Sequence, residues 1–256
     1  MSLLRLNDVM VAFGGLLAVS NFDLNVEDRE LIGLIGPNGA GKTTIFNVIT
    51  GFHTPVRGSV IFSGVDITGK LPNYIAKLGI SRTFQNIRLF QNLTVLENVM
   101  IGSQIHSRIS YIHSLLRTSY FYREESKIEK NAMKALELVG LERLRDEIAK
   151  NLPYGDQRKL EIARAIATEP RLILLDEPAA GMNPRETDEL MNMIKFLRNE
   201  LNLTILLIEH DMHVVMNICE RVIVLNYGEI IAEGTPEEIK SKPEVLEAYL
   251  GSVAVG

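Results

Sequence analysis

Short runs of unbroken hydrophobicity alternate along this chain with segments in which apolar residues recur every three or four positions. Arg171 to Leu175 and Thr204 to Ile208 are continuous rather than alternating, the pattern of parallel strands covered on both faces, and Glu30 to Ile35 is a short apolar run that reads as a buried strand. Leu4 to Leu6 with Val9 to Phe13 form an opening strand region that stops at the turn Gly14-Gly15. Ser59 to Gly64 alternates and ends in a turn, and Val222 to Ile231 reads as a hairpin. Helical character dominates from about Leu96 to Asp146: Ile128, Ala132, Ala135, Leu136 and Val139 share one face, and Gly140 follows as a C-terminal cap. Two further helices announce their starts. Asn183-Pro184-Arg185-Glu186 and Thr235-Pro236-Glu237-Glu238 each place a capping side chain, a first-turn proline and a glutamate three positions after the cap. Buried runs interleaved with helices predict an α/β domain.

Composition narrows the class without changing this picture. The 256 residues are 46% hydrophobic and 23% charged, with a formal net charge of −5 and no long basic run, which argues against nucleic acid as a partner. No run nears the roughly 18 apolar residues that span a bilayer, and Met1 to Asp8 lacks a signal-peptide layout. The expectation is a cytosolic chain, or one held at a membrane by a partner. The single cysteine, Cys219, closes the apolar stretch from Val214 and reads as a small buried hydrophobe. From Ile105 to Tyr122 the aromatics Tyr111, Tyr120, Phe121 and Tyr122 mix with the cations Arg108 and Arg117, with Arg123 directly after. They read first as packing of a helical insert on itself, and second as a docking surface for a partner or lipid headgroups.

Chemistry is written most plainly at Gly36-Pro37-Asn38-Gly39-Ala40-Gly41-Lys42-Thr43-Thr44, which fits the pattern of a phosphate-cradling loop. Its glycines let the backbone curl with N–H groups inward. Lys42 adds a mobile positive charge, Thr43 offers a hydroxyl to a magnesium ion, and a helix beginning near Gly41 turns its positive end to the same anion. A buried strand precedes the loop, and Ile45 to Ile49 suits the helix after it. The loop occurs once, so one nucleotide site per chain is expected. Phe13, upstream, is either core or an aromatic that stacks on an adenine.

Phosphoryl chemistry also needs a metal ligand and a group that orients the attacking water. Asp176 and Glu177 end the run Leu172 to Leu175, with Pro178 after them. Neighbours at a strand end point to opposite sides, so Asp176 is expected toward magnesium and Glu177 toward water. Glu209-His210-Asp211 ends the next buried run in the same manner. His210 and His213 have helical i, i+3 spacing, but with no cysteine or further histidine nearby His210 reads as a polar group reaching the γ-phosphate.

Taken in order, five motifs resemble those of an ABC-transporter ATPase subunit over essentially the whole chain. They are the phosphate loop, Gln85 in Arg82-Thr83-Phe84-Gln85, Leu152-Pro153-Tyr154-Gly155-Asp156-Gln157-Arg158 opening a helix, Leu172 to Glu177, and His210. Thr83 to Phe90, Leu93 to Asn98, Tyr154 to Arg158, Pro178 to Pro184 and Ile208 to Met212 are similar, further, to the ATP-binding proteins of high-affinity branched-chain amino acid importers. The resemblance implies an α/β P-loop NTPase fold with a mixed central sheet, a parallel core plus antiparallel N-terminal strands. One domain would span 1–256, with a helical subdomain at about 86–165 and a C-terminal extension at about 235–256.

ATP and Mg2+ are the implied cofactors. Phe13 would stack on adenine, Gly36 to Thr44 with Lys42 would hold the phosphates, and Thr43, Gln85 and Asp176 would serve magnesium directly or through water. Glu177 would be the general base and His210 would sense the γ-phosphate. Two such domains close head to tail, so Tyr154, Gly155 and Asp156 at a helix N-terminus would complete a partner's site. Pro153, Tyr154 and Asp156 depart from the usual serine, glycine and glutamine of that signature, and Asn183 stands where aspartate is frequent. Without the serine hydroxyl, the contact in trans falls to backbone N–H groups.

The function so implied is ATP-driven import of leucine, isoleucine and valine by a peripheral subunit at the cytoplasmic face of the cell membrane. Its partners would be membrane-embedded permeases, a second ATPase or a second copy of itself, and, indirectly, an extracytoplasmic solute-binding protein. The residues leave other solutes open, among them urea, amides, other amino acids and lipid. A soluble ABC ATPase working on ribosomes or DNA would look like two fused halves or carry a long coiled-coil insert. A nucleotide kinase would have no use for the signature-like stretch.

Overall fold

The computed structural model describes residues 2–107 and 118–251. Its first three strands, β1 (Ser2–Phe13), β2 (Leu16–Glu27) and β3 (Leu31–Ile35), divide between two sheets. β1 and β2 pair antiparallel, and β4 (Arg57–Phe62) and β5 (Val65–Asp66) extend them in the order β2-β1-β4-β5. β3 lies inside the second sheet with β6 (Ile80–Arg82), β7 (Leu172–Asp176), β8 (Thr204–Ile208), β9 (Arg221–Asn226) and β10 (Glu229–Gly234), in the order β10-β9-β3-β8-β7-β6. Every pairing in it is parallel except the β9–β10 hairpin. The central sheet is therefore mixed, with β10 as its antiparallel member. The N-terminal antiparallel strands build a sheet of their own, because β1 spends both edges on β2 and β4.

Continuous hydrophobicity in the parallel strands has the expected cause. Successive side chains of a strand face opposite sides, and here both sides are buried. Ile173, Leu175, Ile205, Leu207, Val222 and Val224 enter one core cluster. Their neighbours Leu172, Leu174, Leu206, Ile208, Ile223 and Leu225 enter the other. In β1 the buried positions run Leu3, Leu4, Leu6, then Val9, Val11. The missed beat falls at Asp8, whose φ of 46° accompanies a register shift between Leu6 and Val9, and Asn21 in β2 has a φ of 44° beside it.

The helices fill the layers on either side. α1 (Lys42–Ile49) leaves the end of β3, and α2 (Pro72–Leu78) leads into β6. α3 (Val95–Ser103), α4 (Ser119–Val139) and α5 (Tyr154–Ile166) pack on one another. α4 buries Ile128, Ala132, Ala135, Leu136 and Val139, and Gly140 closes it in the left-handed region at φ 73°. α6 (Pro184–Leu201), α7 (Met212–Ile218), α8 (Pro236–Ser241) and α9 (Pro243–Gly251) complete the chain. α6 and α8 carry reciprocal capping boxes, Asn183 with Glu186 and Thr235 with Glu238. Phe121 and Tyr122 meet edge to face at 5.5 Å, while Arg108, Tyr111 and Arg117 lie outside the described residues. Cys219 is buried, and burial, with Glu209 and Glu220 adding, pushes its thiol up to about 12. No helix among the described residues is long and apolar enough to cross a membrane.

Leu206 is fully buried at the middle of β8. Leu206→Ala is expected to cost about 2–5 kcal/mol in urea unfolding, with an unchanged slope. A loss well under 1 kcal/mol would contradict the two-sided packing of the sheet.

Candidate functional site

Four parallel strands, β3, β6, β7 and β8, end at one edge of the central sheet, and the candidate residues follow directly from those ends. In open α/β sheets this carboxyl edge is where ligands bind. The phosphate loop spans the gap from β3 to α1. Gly36 sits at φ 145°, and a Cβ there would meet the Leu225 carbonyl oxygen at 2.0 Å. Gly41, at φ 105°, caps α1, and a Cβ there would meet the Ala18 carbonyl oxygen at 2.8 Å. The loop is pinned from outside: Gly228 N–H donates to the Ala40 carbonyl at 3.0 Å, and Ser20 N–H donates to that of Gly228 at 2.9 Å. Asn38 and Gly39 at its crest are exposed, Ala40 is buried, Thr43 is exposed and Thr44 half-buried. Lys42 is buried, and its Nζ donates to the carbonyls of Gly36 at 2.6 Å and Pro37 at 3.0 Å. Burial lowers the pKa of its amine, against the opposing pull of the Glu177 and Asp176 carboxylates.

Thr43, Gln85 and Asp176, separate in sequence, line one cavity of about 380 Å³ together with Asn47, His53 and Arg82. A hydroxyl, amide oxygens and a carboxylate are the hard oxygen donors that suit Mg2+, so the residues present fit that ion. Among the described residues no group of three or more histidine, cysteine or acidic side chains forms a separate metal cluster. His213 spends its Nε2 on Asp188 at 3.2 Å. Phe13, nearly half exposed, meets the ring of His53, a lining residue of this cavity, edge to face at 5.1 Å.

The two carboxylates diverge as a strand end requires. Asp176 is buried and accepts from Arg82 Nη2 at 2.8 Å. Arg82 also donates to Asn47 Oδ1 at 2.8 Å and lies over the rings of Phe46 and Phe84. Glu177 takes the left-handed conformation at φ 47°, uncommon for a residue with a side chain, while its N–H donates to the Ile208 carbonyl at 2.9 Å. That turn swings its carboxylate to Gln85, whose Nε2 donates to Oε2 at 2.8 Å, with His210 Nδ1 at 3.6 Å. Behind His210, fully buried Glu209 accepts from Ala179 N–H at 2.9 Å, and burial raises its pKa.

Tyr154, Gly155 and Asp156 open α5 and form no hydrogen bond with residues 36–44. Tyr154 Oη donates to the Ala180 carbonyl at 2.9 Å, Gly155 faces Glu186, and Asp156 pairs with Lys159 at 3.4 Å. Two side chains that hold the loops of this edge carry no role in the reading of the sequence, Arg82 and Arg158, and Glu209 stands there only as an acid that ends a buried run. Arg82 left a faint signal, a cation three residues before Gln85. Arg158 left none, since an arginine in an amphipathic helix ordinarily faces water.

A glycine-rich cradle at the start of α1, paired carboxylates at the end of β7 and a histidine after β8 define an ATP-binding cassette. The chain belongs to the ABC transporter ATP-binding family and is an ATPase of that class: a family model described as ABC transporter matches residues 19–180. A second, described as Branched-chain amino acid ATP-binding cassette transporter, matches residues 229–255. The chain is 49% identical to the high-affinity branched-chain amino acid transport ATP-binding protein LivG of Salmonella typhimurium, covering 97% of this chain and 98% of that one. It is 46% identical, with the same coverage, to the protein BraF of Pseudomonas aeruginosa, which carries the same description. Among solved structures, the ADP conformation of an ATP-binding cassette of an ABC transporter superposes with a TM-score of 0.86 at 36% identity, covering 98% of this chain and 99% of that one. A nucleotide-free cassette superposes at 0.84 with 38% identity, covering 97% and 99%.

Because a Cβ on Gly36 collides with backbone, Gly36→Ala is expected to weaken ADP binding by about ten-fold or more in calorimetry while circular dichroism keeps its helical signal. Unchanged affinity would contradict the geometry of the loop.

Proposed function

We propose that this chain is the ATP-hydrolysing subunit of an importer for branched-chain amino acids, working at the cytoplasmic face of a membrane on permease partners. The observation that carries the catalytic part is the convergence of Thr43, Gln85 and Asp176 on one cavity, with Glu177 held by Gln85. The solute class is supported by the match of residues 229–255 and by the names of the relatives.

In this reading the N–H groups of Gly39 to Thr44 and the Lys42 ammonium hold the triphosphate, and Phe13 covers the adenine. Thr43, Gln85 and Asp176 would hold Mg2+, directly or through water, and a bound ion would supply neutralisation of charge on the phosphate oxygens. The Glu177 carboxylate accepts the proton of the attacking water, Gln85 fixes its direction through Oε2, and His210 reaches the γ-phosphate. Tyr154 to Asp156 serve the site of a facing ATPase, either a second copy or a sister subunit. Solved cassettes of 26–27% identity are described as dimeric, which supports this arrangement. The permease is proposed to dock over an apolar groove of about 290 Å³ lined by Phe52, Pro72, Ala76, Phe84, Phe90 and Ile101. Phe52 and Phe90 are half exposed there, and Phe84 adjoins Gln85 in the chain. A solute-binding protein outside the membrane would act through the permease alone.

The test is uptake of labelled leucine in cells deleted for their own copy. The intact chain is expected to restore uptake, and Lys42→Ala to leave it at the background of the deletion. Restored uptake of urea or an amide with none of leucine would overturn the solute class and leave the ATPase reading standing. Full leucine uptake with Lys42→Ala would overturn the role of the loop.

A further inference from the structure

We infer that Tyr154 and Arg158 are positioning residues that tie the loop bearing Gln85 to the loop that follows Glu177, so that the two loops move as one. The inference rests on the roles proposed above for Gln85 and Glu177.

Arg158 is fully buried. Its Nη1 donates to the Phe84 carbonyl at 2.8 Å and to Glu161 Oε2 at 2.9 Å. Its Nη2 donates to the Gln85 carbonyl at 2.8 Å and to Tyr154 Oη at 3.1 Å. Glu161 Oε1 in turn accepts from the N–H groups of Phe84 at 3.4 Å and Arg88 at 3.3 Å. Residues 84–88 are thereby clasped through both donors and acceptors onto α5. A guanidinium is planar and its donors are fixed in a fork, so this clasp cannot slide; the loop shifts with the helix or breaks four bonds.

Tyr154 carries the connection onward. Its hydroxyl accepts from Arg158 and donates to the Ala180 carbonyl at 2.9 Å, an ordering in which each bond polarises the next. Its ring lies against Gly181, where a Cβ would meet Cε1 at 3.5 Å. Ala180 is held back to the Glu177 carbonyl at 3.2 Å. The path from the Gln85 backbone to the Glu177 backbone therefore runs Arg158, Tyr154, Ala180, beside the direct Gln85–Glu177 side-chain bond. Glycine at position 154 would sever it at its middle link.

Tyr154→Phe keeps the ring on Gly181 and removes only the hydroxyl. In steady-state hydrolysis by the full chain, it is expected to lower kcat about five-fold with KM for ATP changed less than about two-fold. Its melting temperature is expected to stay within about 2 °C of the parent. Placed on Gln85→Ala, the same change is expected to lower kcat by less than about 1.5-fold, since residues acting as one unit are not additive. An unchanged kcat, an effect confined to KM, or the same five-fold loss in both backgrounds would overturn the link. Hydrolysis by Gln85→Ala at the parental rate would instead overturn the role given to Gln85, and with it the purpose of the clasp.

Discussion

Everything at the carboxyl edge of the central sheet answers one electrostatic constraint: a polyphosphate must be held beside two carboxylates, Asp176 and Glu177. Like charges at such distances in a partly buried site repel by several kcal/mol unless compensated. The chain compensates twice. Lys42 is buried between the loop carbonyls and the acidic pair, and both carboxylates pull its charge in against the cost of burial. Arg82 closes on Asp176 in a pair that is almost wholly sequestered, with Asn47 taking another of its donors. Glu177 is kept apart by backbone conformation rather than by a cation, since its left-handed φ sends its carboxylate to Gln85.

The fold makes this economical. Because β3, β6, β7 and β8 run parallel, their carboxyl ends lie side by side, and a loop leaving each one reaches the same volume. Both faces of these strands are packed, so the strand ends are rigid and the chemistry can sit on short turns without losing register. Where those turns need further fixing, buried side chains supply it: Glu209 holds Ala179, and Arg158 with Glu161 holds residues 84–88. These buried acids and bases lie outside the phosphate loop and fix the loops around it.

What the sequence made legible follows from how local each requirement is. The phosphate loop was visible because its glycines answer to backbone conformation at their own positions, Gly36 and Gly41 above all. The helix starts at Asn183 and Thr235 were visible because a capping box is complete within four residues. Asp176 and Glu177 stood out as charges at the end of a continuous apolar run. β2 went unread because the bulge at Asn21 breaks the alternation between Val19 and Phe22, and β6 because three residues show no period. The home of the N-terminal strands was misjudged for a related reason: nothing within β1 says that both its edges are already taken. Arg158 and Glu161 were invisible as functional residues, since their burial is decided by α5 meeting residues 84–88, which are distant in sequence. Tyr154 was legible as a departure from a signature and as part of a helix N-terminus offered to a partner's site, while its contact with Ala180 belongs to tertiary structure alone.

The central claim is that Glu177 accepts the proton of the water that attacks ATP. It is tested most directly by measuring ATP affinity and hydrolysis for Glu177→Gln, which keeps the shape and the bond to Gln85 while removing the base. Hydrolysis is predicted to fall by about a hundred-fold or more with ATP affinity preserved within a few-fold. Hydrolysis near the parental rate would contradict the account and move the base to another residue of the same edge.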